Sequence, residues 1–477
     1  MNMGVIKFGT DGWRGVIARE FTFDNLAIAV AAAGQVALEK ESKPTAMVGY
    51  DRRFLSREFA VETARVLAAQ GIRVLLSKSF CSTPCTSFVA RREGTPLSPM
   101  LTASHNPPIY NGLKLKGPHG GPATPDQVAP VQAQATELEE QGFIPDRVDF
   151  KTAIEDGRIT EIDASDDYLA AVKKHIQADA LKGRGYKVVV DAMHGAGTGL
   201  LKKALDDLGV ETYEIRAENN PSFGGVNPEP IEPNLGVLVQ AVRDTGADLG
   251  LALDGDADRL GVIDEKGRFV TTQEVFPLIL QHIYEDRGMK TGDVVKTASS
   301  SIMLNTLANL YGLKLVETPV GFKDVCAYML ENDWLIAGEE SGGYTIKGHL
   351  PDRDGLLCGI LLLEMMAMQD LPMSELVKEL MGQVGYHCYK RIDVHTTEAK
   401  KQEALRRVNE TPPDHIGNWK VVGVSRLDGY KATLEDGSWV LVRASGTEPV
   451  LRIYCEAVLE PSRDAILADL QKFLFSD

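Results

Sequence analysis

Three stretches of the chain repeat one hydrophobic rhythm. Thr45–Asp51 is an apolar run of strand length. A polar turn follows, then Arg57–Gln70 with apolar positions at helical spacing, then Gly71 and a second apolar run at Ile72–Leu76. The same order returns at Lys187–Asp191, Gly199–Leu208, Gly209 and Val210–Ile215, and again at Asp293–Thr297, Ile302–Tyr311, Gly312 and Leu313–Val316. Each glycine stands where a helix end needs a residue in left-handed conformation. A strand–helix–Gly–strand unit met three times predicts three related α/β domains. Their apolar strands predict parallel or mixed sheets covered by helices on both faces.

The C-terminal part reads differently. Trp439–Val442 and Val450–Tyr454 alternate like half-buried strands, and Asp464–Phe473 has the pattern of an amphipathic helix, which together predict a smaller α+β domain. Ala129–Asp149 is polar and Gln/Glu-rich and is expected as a helix leading out of the first domain. Leu260–Ile263 is expected to start a new strand near the end of the second domain, and Leu371–Gly385 reads as a hinge into the last. The expected domains are 1–148, 149–262, 263–375 and 376–477.

Composition narrows the function. At 477 residues, 44% of them hydrophobic, the chain is long enough for several globular domains. A net charge of −16 argues against a nucleic-acid-binding protein, which usually shows a basic surface. The six cysteines (Cys81, Cys85, Cys326, Cys358, Cys388, Cys455) form no C-x-x-C pair and are expected as reduced, buried thiols. Met1–Gly15 lacks an apolar core of signal-peptide length. The longest apolar run, Leu356–Met368, contains Glu364 and falls short of the ~20 residues of a membrane span. A cytoplasmic protein that binds neither membrane nor nucleic acid, as monomer or homodimer, is expected.

Two segments carry candidate chemistry. In Thr102-Ala103-Ser104-His105-Asn106-Pro107-Pro108 the prolines push the residues before them toward extended backbone, so a loop with a fixed exit should project Ser104. Alone it also reads as an ordinary polar turn. Asp254-Gly255-Asp256-Ala257-Asp258-Arg259 lies between two apolar strands, Leu249–Leu253 and Leu260–Ile263. Extended backbone would point the three carboxylates the same way. At ~4 Å and an effective dielectric of about 20, each pair would repel by ~4 kcal/mol, so the cluster calls for a cation. All-oxygen ligands suit Mg²⁺ or Ca²⁺. An EF-hand also opens D-x-D-x-D, and Glu265 falls at its twelfth position, but its sixth must be glycine and here is Arg259.

Several glycine-bearing loops complete the set: Phe8–Gly15 with Arg14, Thr318–Lys323, Gly338–Gly343 with Glu339, Glu340 and Ser341, and Arg443–Pro449. Such loops can aim N–H groups at an anion, and Arg443 adds a fork suited to phosphate. Pooled, they describe a cleft for a phosphorylated polyol.

In order and spacing, Phe8–Gly15, Thr102–Pro107, Asp254–Arg259, Gly338–Gly342 and Arg443–Pro449 resemble the signature loops of the α-D-phosphohexomutase superfamily. The resemblance covers the whole chain. It implies three related α/β domains and a smaller C-terminal domain around a central cleft. Ser104 would be the phosphoserine, holding Mg²⁺ together with Asp254, Asp256 and Asp258. Arg14, Lys114 and His105 would assist proton and phosphoryl transfer. Arg259, Gly321 and Lys323 would contact the substrate, Glu339 and Ser341 its hydroxyls, and Arg443, Ser445, Gly446 and Thr447 its distal phosphate. Within the family, Glu339-Glu340-Ser341 and Thr318–Lys323 look like the phosphoglucomutase branch. The mannose-accepting branch tends to carry Met for Glu340 and His for Gly343, and the glucosamine branch Gln for Glu340. His349 is a candidate for the missing histidine, though a packed loop residue is the plainer reading.

The expected reaction interconverts glucose 1-phosphate and glucose 6-phosphate through glucose 1,6-bisphosphate. A phosphoserine adds about −1.5 to −2 to three carboxylates, so Mg²⁺ and the nearby Arg14, Lys114 and Arg259 are needed before an anionic sugar phosphate can approach. The alternatives are a phosphomannomutase or dual-specificity mutase, a hexose bisphosphate synthase or phosphatase, a non-catalytic phosphosugar sensor and, weakest, a calcium-binding module.

Overall fold

In a computed structural model of the chain, which describes residues 5–9, 11–444 and 450–475, the repeated rhythm folds as expected. In the first unit strand Thr45–Tyr50, helix Ser56–Ala69 and strand Arg73–Ser77 form a parallel crossover. Lys187–Asp191, Leu200–Asp206 and Glu211–Ile215 repeat it, as do Asp293–Thr297, Met303–Tyr311 and Leu315–Thr318. Gly71, Gly209 and Gly312 all adopt positive φ (85°, 82° and 66°), which ends each helix without the penalty a Cβ would carry.

The repeat extends further than the hydrophobic pattern indicated. In each unit a third strand (Ser98–Leu101, Leu249–Leu253, Trp334–Gly338) pairs in parallel on the other side of the first, then turns back into an antiparallel partner (Tyr110–Lys116, Leu260–Asp264, Tyr344–Ile346). The three sheets are therefore mixed. The three equivalent turns, 102–109, 254–259 and 339–343, leave the carboxyl ends of these strands, where open α/β sheets bind ligands. The C-terminal domain is a six-stranded sheet with antiparallel pairing throughout, and its central hairpin joins Trp439–Ala444 to Val450–Ala457.

Sheet membership moves the expected domain limits. Ile159–Ile162 pairs with Arg73–Ser77, so the first unit runs past residue 148. Leu260–Asp264 and Phe269–Val270 complete the second sheet instead of opening the third, which carries that unit past 262. The expected hinge at 371–385 is the helix Met373–Val384. The polar helix is Pro125–Glu140, shorter than expected.

One apolar core runs through the second and third domains around the helix Gly355–Gln369 and takes in a few residues of the first, Met47 and Leu75 among them, while most apolar residues of the first domain form a core of their own. That helix contains the longest apolar run. Its buried Glu364 is taken up by His282 Nε2 (3.0 Å), the Gln177 N–H (2.6 Å) and Arg287 (3.5 Å). Among the described residues no single helix is long and apolar enough to cross a membrane. All six cysteines are buried free thiols. The C-terminal domain has its own core, and meets the third through a small apolar seam of Ala298, Trp439, Leu441 and Tyr454.

Lys296 is fully buried beside this seam, its Nζ donating to the carbonyls of Ser300 (3.1 Å) and Ser301 (3.0 Å). Burial, and then the Lys431 ammonium, lower it to about 7, with Glu317 at 3.7 Å opposing without prevailing. The unfolded chain therefore binds more protons than the folded one between about pH 7 and 10.5, and stability rises with pH across that window. The melting temperature of the wild type should gain on that of Lys296→Met as the pH is raised from 7 to 10. A pH-independent difference between the two would contradict this.

Candidate active site

The turn that follows Ser98–Leu101 is held from beneath by one buried guanidinium. Arg53 donates to the carbonyls of Ser104 (2.6 Å), Asn106 (2.6 Å), Pro107 (3.0 Å) and Tyr110 (3.0 Å), while Asp51 lies 3.3 Å from its Nε and the Phe223 ring 5.0 Å from its centre. Thr102 Oγ1 accepts the Ser104 N–H at 2.8 Å. These contacts keep Ser104 at φ 50°, a left-handed conformation that a non-glycine residue adopts only where its surroundings impose it. The serine is thereby aimed out of its turn toward the second domain.

There it meets the carboxylates. Ser104 Oγ donates to Asp254 Oδ2 at 2.8 Å, and His105 Nδ1 lies 3.5 Å from the same hydroxyl. The two turns touch so closely that a Cβ on Gly255 would stand 2.4 Å from the Ser104 carbonyl oxygen. One ligand oxygen from each of Asp254, Asp256 and Asp258 lies within 4.8 Å of the others, and all three residues are buried. Convergence comes from a turn, not from the extended alternation expected: Ala257 takes φ 62°, and Asp254 Oδ1 accepts the N–H groups of Asp258 (3.0 Å) and Arg259 (3.1 Å).

Cations surround the cluster on one side. Lys114 Nζ contacts Asp256 (2.8 Å), Asp258 (3.0 Å) and Asp11 (2.8 Å). Burial alone would lower the Lys114 ammonium, but Asp11, Asp256 and Asp258 more than offset it and hold it above its ordinary value. Burial also works against the Asp256 carboxylate, yet Lys114 and the Thr83 hydroxyl at 2.5 Å keep it below the usual carboxylate range. Asp254 is pushed up, first by burial and then by Asp256 and Asp258. The two are driven apart in acidity because Lys114 lies against Asp256 and not against Asp254. Among the described residues, Asp256 Oδ1 and Asp258 Oδ1 are buried without a hydrogen-bond partner, the unmet capacity that a divalent cation would satisfy.

The other expected residues divide in two. Arg14 joins the centre through Asn106 Oδ1 (2.5 Å) and Asp11 (3.6 Å), and Arg259 lies 3.9 Å from Asp258. His105 is lowered by burial and then by Arg259 and Arg14. Glu339 reaches the centre through Arg353 (3.0 Å); burial raises it, with Arg353 opposing. Ser341 Oγ is buried with no partner among the described residues. Gly321 (φ 136°) and Lys323 flank Phe322 at the start of helix Phe322–Glu331, and the Phe322 ring lies 5.2 Å from the Arg353 guanidinium. Arg443 is bound to Asp428 at 2.6 Å, while Ser445, Gly446 and Thr447 fall outside the described residues. His349 is packed, its Nε2 2.8 Å from Asp354.

Arg353 is the chief residue that sequence reasoning missed. Its guanidinium lies 2.8 Å from Asp11, 2.7 Å from Asp258 and 3.0 Å from Glu339, one carboxylate from each of the first three domains. It also fills the space beside Gly343, where an added Cβ would stand 2.3 Å from Arg353 Cδ. The arginine's methylenes thus fill the space that a side chain at residue 343 would need. Asp11, Thr83 and Arg53 were missed as well, because each acts on residues remote in the chain.

The comparisons agree with this layout. The chain matches the four families described as phosphoglucomutase/phosphomannomutase alpha/beta/alpha domain I (residues 5–142), domain II (166–267), domain III (271–384) and C-terminal domain (392–471). It is 33% identical over 457 residues, 95% of each chain, to a phosphoglucomutase/phosphomannomutase of Thermococcus kodakarensis. It is 29% identical over 460 residues, 95% of this chain and 94% of the relative, to a phosphoglucosamine mutase of Geobacillus kaustophilus. A crystal structure from Thermus thermophilus, provisionally named a phosphomannomutase, superposes with a TM-score of 0.84 at 35% identity, covering 99% of this chain and all of that one. With all four domains matched in order, the chain belongs to the α-D-phosphohexomutase superfamily of mutases, which are intramolecular phosphotransferases.

Proposed function

We propose that this mutase interconverts glucose 1-phosphate and glucose 6-phosphate through a phosphoserine at Ser104 and a glucose 1,6-bisphosphate intermediate. One observation carries the reading: a strained serine hydroxyl 2.8 Å from Asp254, in a buried carboxylate triplet whose outer oxygens lack partners. A sensor would have no use for such a nucleophile.

In the first transfer the free hydroxyl of the bound sugar phosphate attacks the Ser104 phosphoryl group. Its P–O bond to the sugar forms as the bond to Ser104 Oγ breaks. The hydroxyl proton ends on Oγ, relayed by His105, whose Nδ1 lies within reach at 3.5 Å. The bisphosphate turns round, Ser104 takes the other phosphoryl group, and the isomer leaves. Lys114 and Arg14 draw the anionic substrate toward the carboxylates, so that catalysis rests on positioning and charge stabilisation. Asp254, Asp256, Asp258 and a Ser104 phosphoryl oxygen would hold Mg²⁺, which supplies stabilisation of charge on the transferring group. Arg443 would grip the phosphate that is not reacting, letting one site serve both ends.

Glucose is favoured by the Glu339-Glu340-Ser341 turn, in which Ser299 Oγ fixes Glu340 at 2.6 Å. A second reading, glucosamine phosphate, is favoured by the relative named for it and opposed by Glu340, where the glucosamine branch tends to carry Gln. Coupled assays with glucose, mannose and glucosamine 1-phosphates decide between them. Glucose 1-phosphate should be converted with a kcat/KM about tenfold or more above the others. A preference for either other sugar would replace the glucose assignment.

A further inference from the structure

The seam between the third and fourth domains holds a contact that the reaction scheme does not use. Asp428 lies in the turn between strands Trp419–Ser425 and Tyr430–Leu434. Its Oδ2 accepts from Arg443 Nε at 2.6 Å, within its own domain, and from the Val320 N–H at 2.9 Å, in the third. Val320 belongs to the Thr318–Lys323 segment, immediately before helix Phe322–Glu331. The Asp428 turn is pressed onto the strand that carries Arg443: at Gly429 (φ 94°) an added Cβ would stand 2.3 Å from the Val442 carbonyl oxygen. The carboxylate therefore has little freedom, and neither does the guanidinium it holds.

We propose that Asp428 is a positioning residue for the distal phosphate: one carboxylate oxygen, itself held by the Val320 amide, anchors the Arg443 guanidinium and so fixes the direction of the arginine. This rests on the reading above, in which Arg443 grips the non-reacting phosphate. An arginine anchored through Nε keeps its two terminal nitrogens as a parallel fork, the geometry that matches phosphate oxygens. An unanchored arginine would have to give up several rotamers on binding, a cost that falls on affinity and not on chemistry.

The test is a double-mutant cycle over Asp428→Ala, Arg443→Ala and the pair, with Asp428→Asn beside them and melting temperatures as a check on folding. Asp428→Ala should raise KM for the preferred hexose 1-phosphate by about tenfold while kcat stays within about threefold. Asp428→Asn, which keeps a neutral acceptor, should raise it less. The double variant should be no worse than Arg443→Ala alone, because the aspartate acts through the arginine. If Asp428→Ala does not fold, the same cycle is read with Asp428→Asn. Effects that multiply, or a loss of kcat at unchanged KM, would overturn the assignment. A wild-type chain that converts no hexose 1-phosphate defeats the functional reading and this role with it; one that converts it while the effects multiply defeats the role of Asp428 alone.

Discussion

Ser104→Ala is expected to lower turnover by about 10⁴-fold or more while the chain still binds sugar phosphate. The loss follows from the proposed scheme, in which this hydroxyl would carry the phosphoryl group in both halves of the reaction, and no other described hydroxyl lies against the carboxylate triplet in its place. Thr83 is the nearest in kind, but its Oγ1 is committed to Asp256 Oδ2 at 2.5 Å. Binding persists because the residues expected to grip the sugar and its distal phosphate, Glu339 and Arg443, belong to other domains. Calorimetric titration with the preferred hexose 1-phosphate, beside a coupled assay, measures both quantities. The alanine protein should also fail to take up phosphate on incubation with the bisphosphate, as read by intact mass. Wild-type turnover in this variant would remove Ser104 from the mechanism.

The second large effect is on the metal. Asp254→Asn replaces one carboxylate of the triplet with a neutral amide of the same shape. The amide oxygen can still accept the N–H groups of Asp258 and Arg259, so the turn should persist. The substitution also removes like-charge repulsion from Asp256 and Asp258, so the metal-free protein should melt no lower than the wild type. What it loses is a charged ligand, and Mg²⁺ affinity should fall by about 100-fold. Mg²⁺ is expected to raise the melting temperature of the wild type and to raise that of the variant less, since stabilisation by a ligand follows its affinity. Unchanged Mg²⁺ affinity would show that the triplet is not the cation site.

Local signals in the chain were readable and long-range ones were not. The three crossovers were legible because a strand, a helix and a helix-ending glycine are each written within a short window, at Gly71, Gly209 and Gly312 alike. The carboxylate cluster was legible because its three members are nearly consecutive and repel one another unless positive charge lies among them. Its geometry was not, since alternation suggested a strand and the left-handed Ala257 makes a turn. Domain limits slipped where pairing is remote: Ile159–Ile162 joins a strand that lies far before it. Arg353 left no trace at all. Nothing in Asp352-Arg353-Asp354 indicates that its partners are Asp11, Asp258 and Glu339, because a buried ion pair is defined by three-dimensional neighbours. The serine–aspartate contact was anticipated from two separate loops, and their equivalence as hairpin turns of repeated sheets explains why they converge.

The common core of the first three domains has a mechanical consequence. The second and third domains cannot part without opening shared apolar surface around the helix Gly355–Gln369, and the first joins that core through residues such as Met47 and Leu75, whereas the C-terminal domain rests on a few side chains and a thin set of polar ties. Heat or denaturant would peel away the last domain first and leave a truncated but ordered body. Such a partly melted molecule would keep the serine against its carboxylates, yet it would have lost Arg443 and with it the grip proposed for the phosphate that is not reacting.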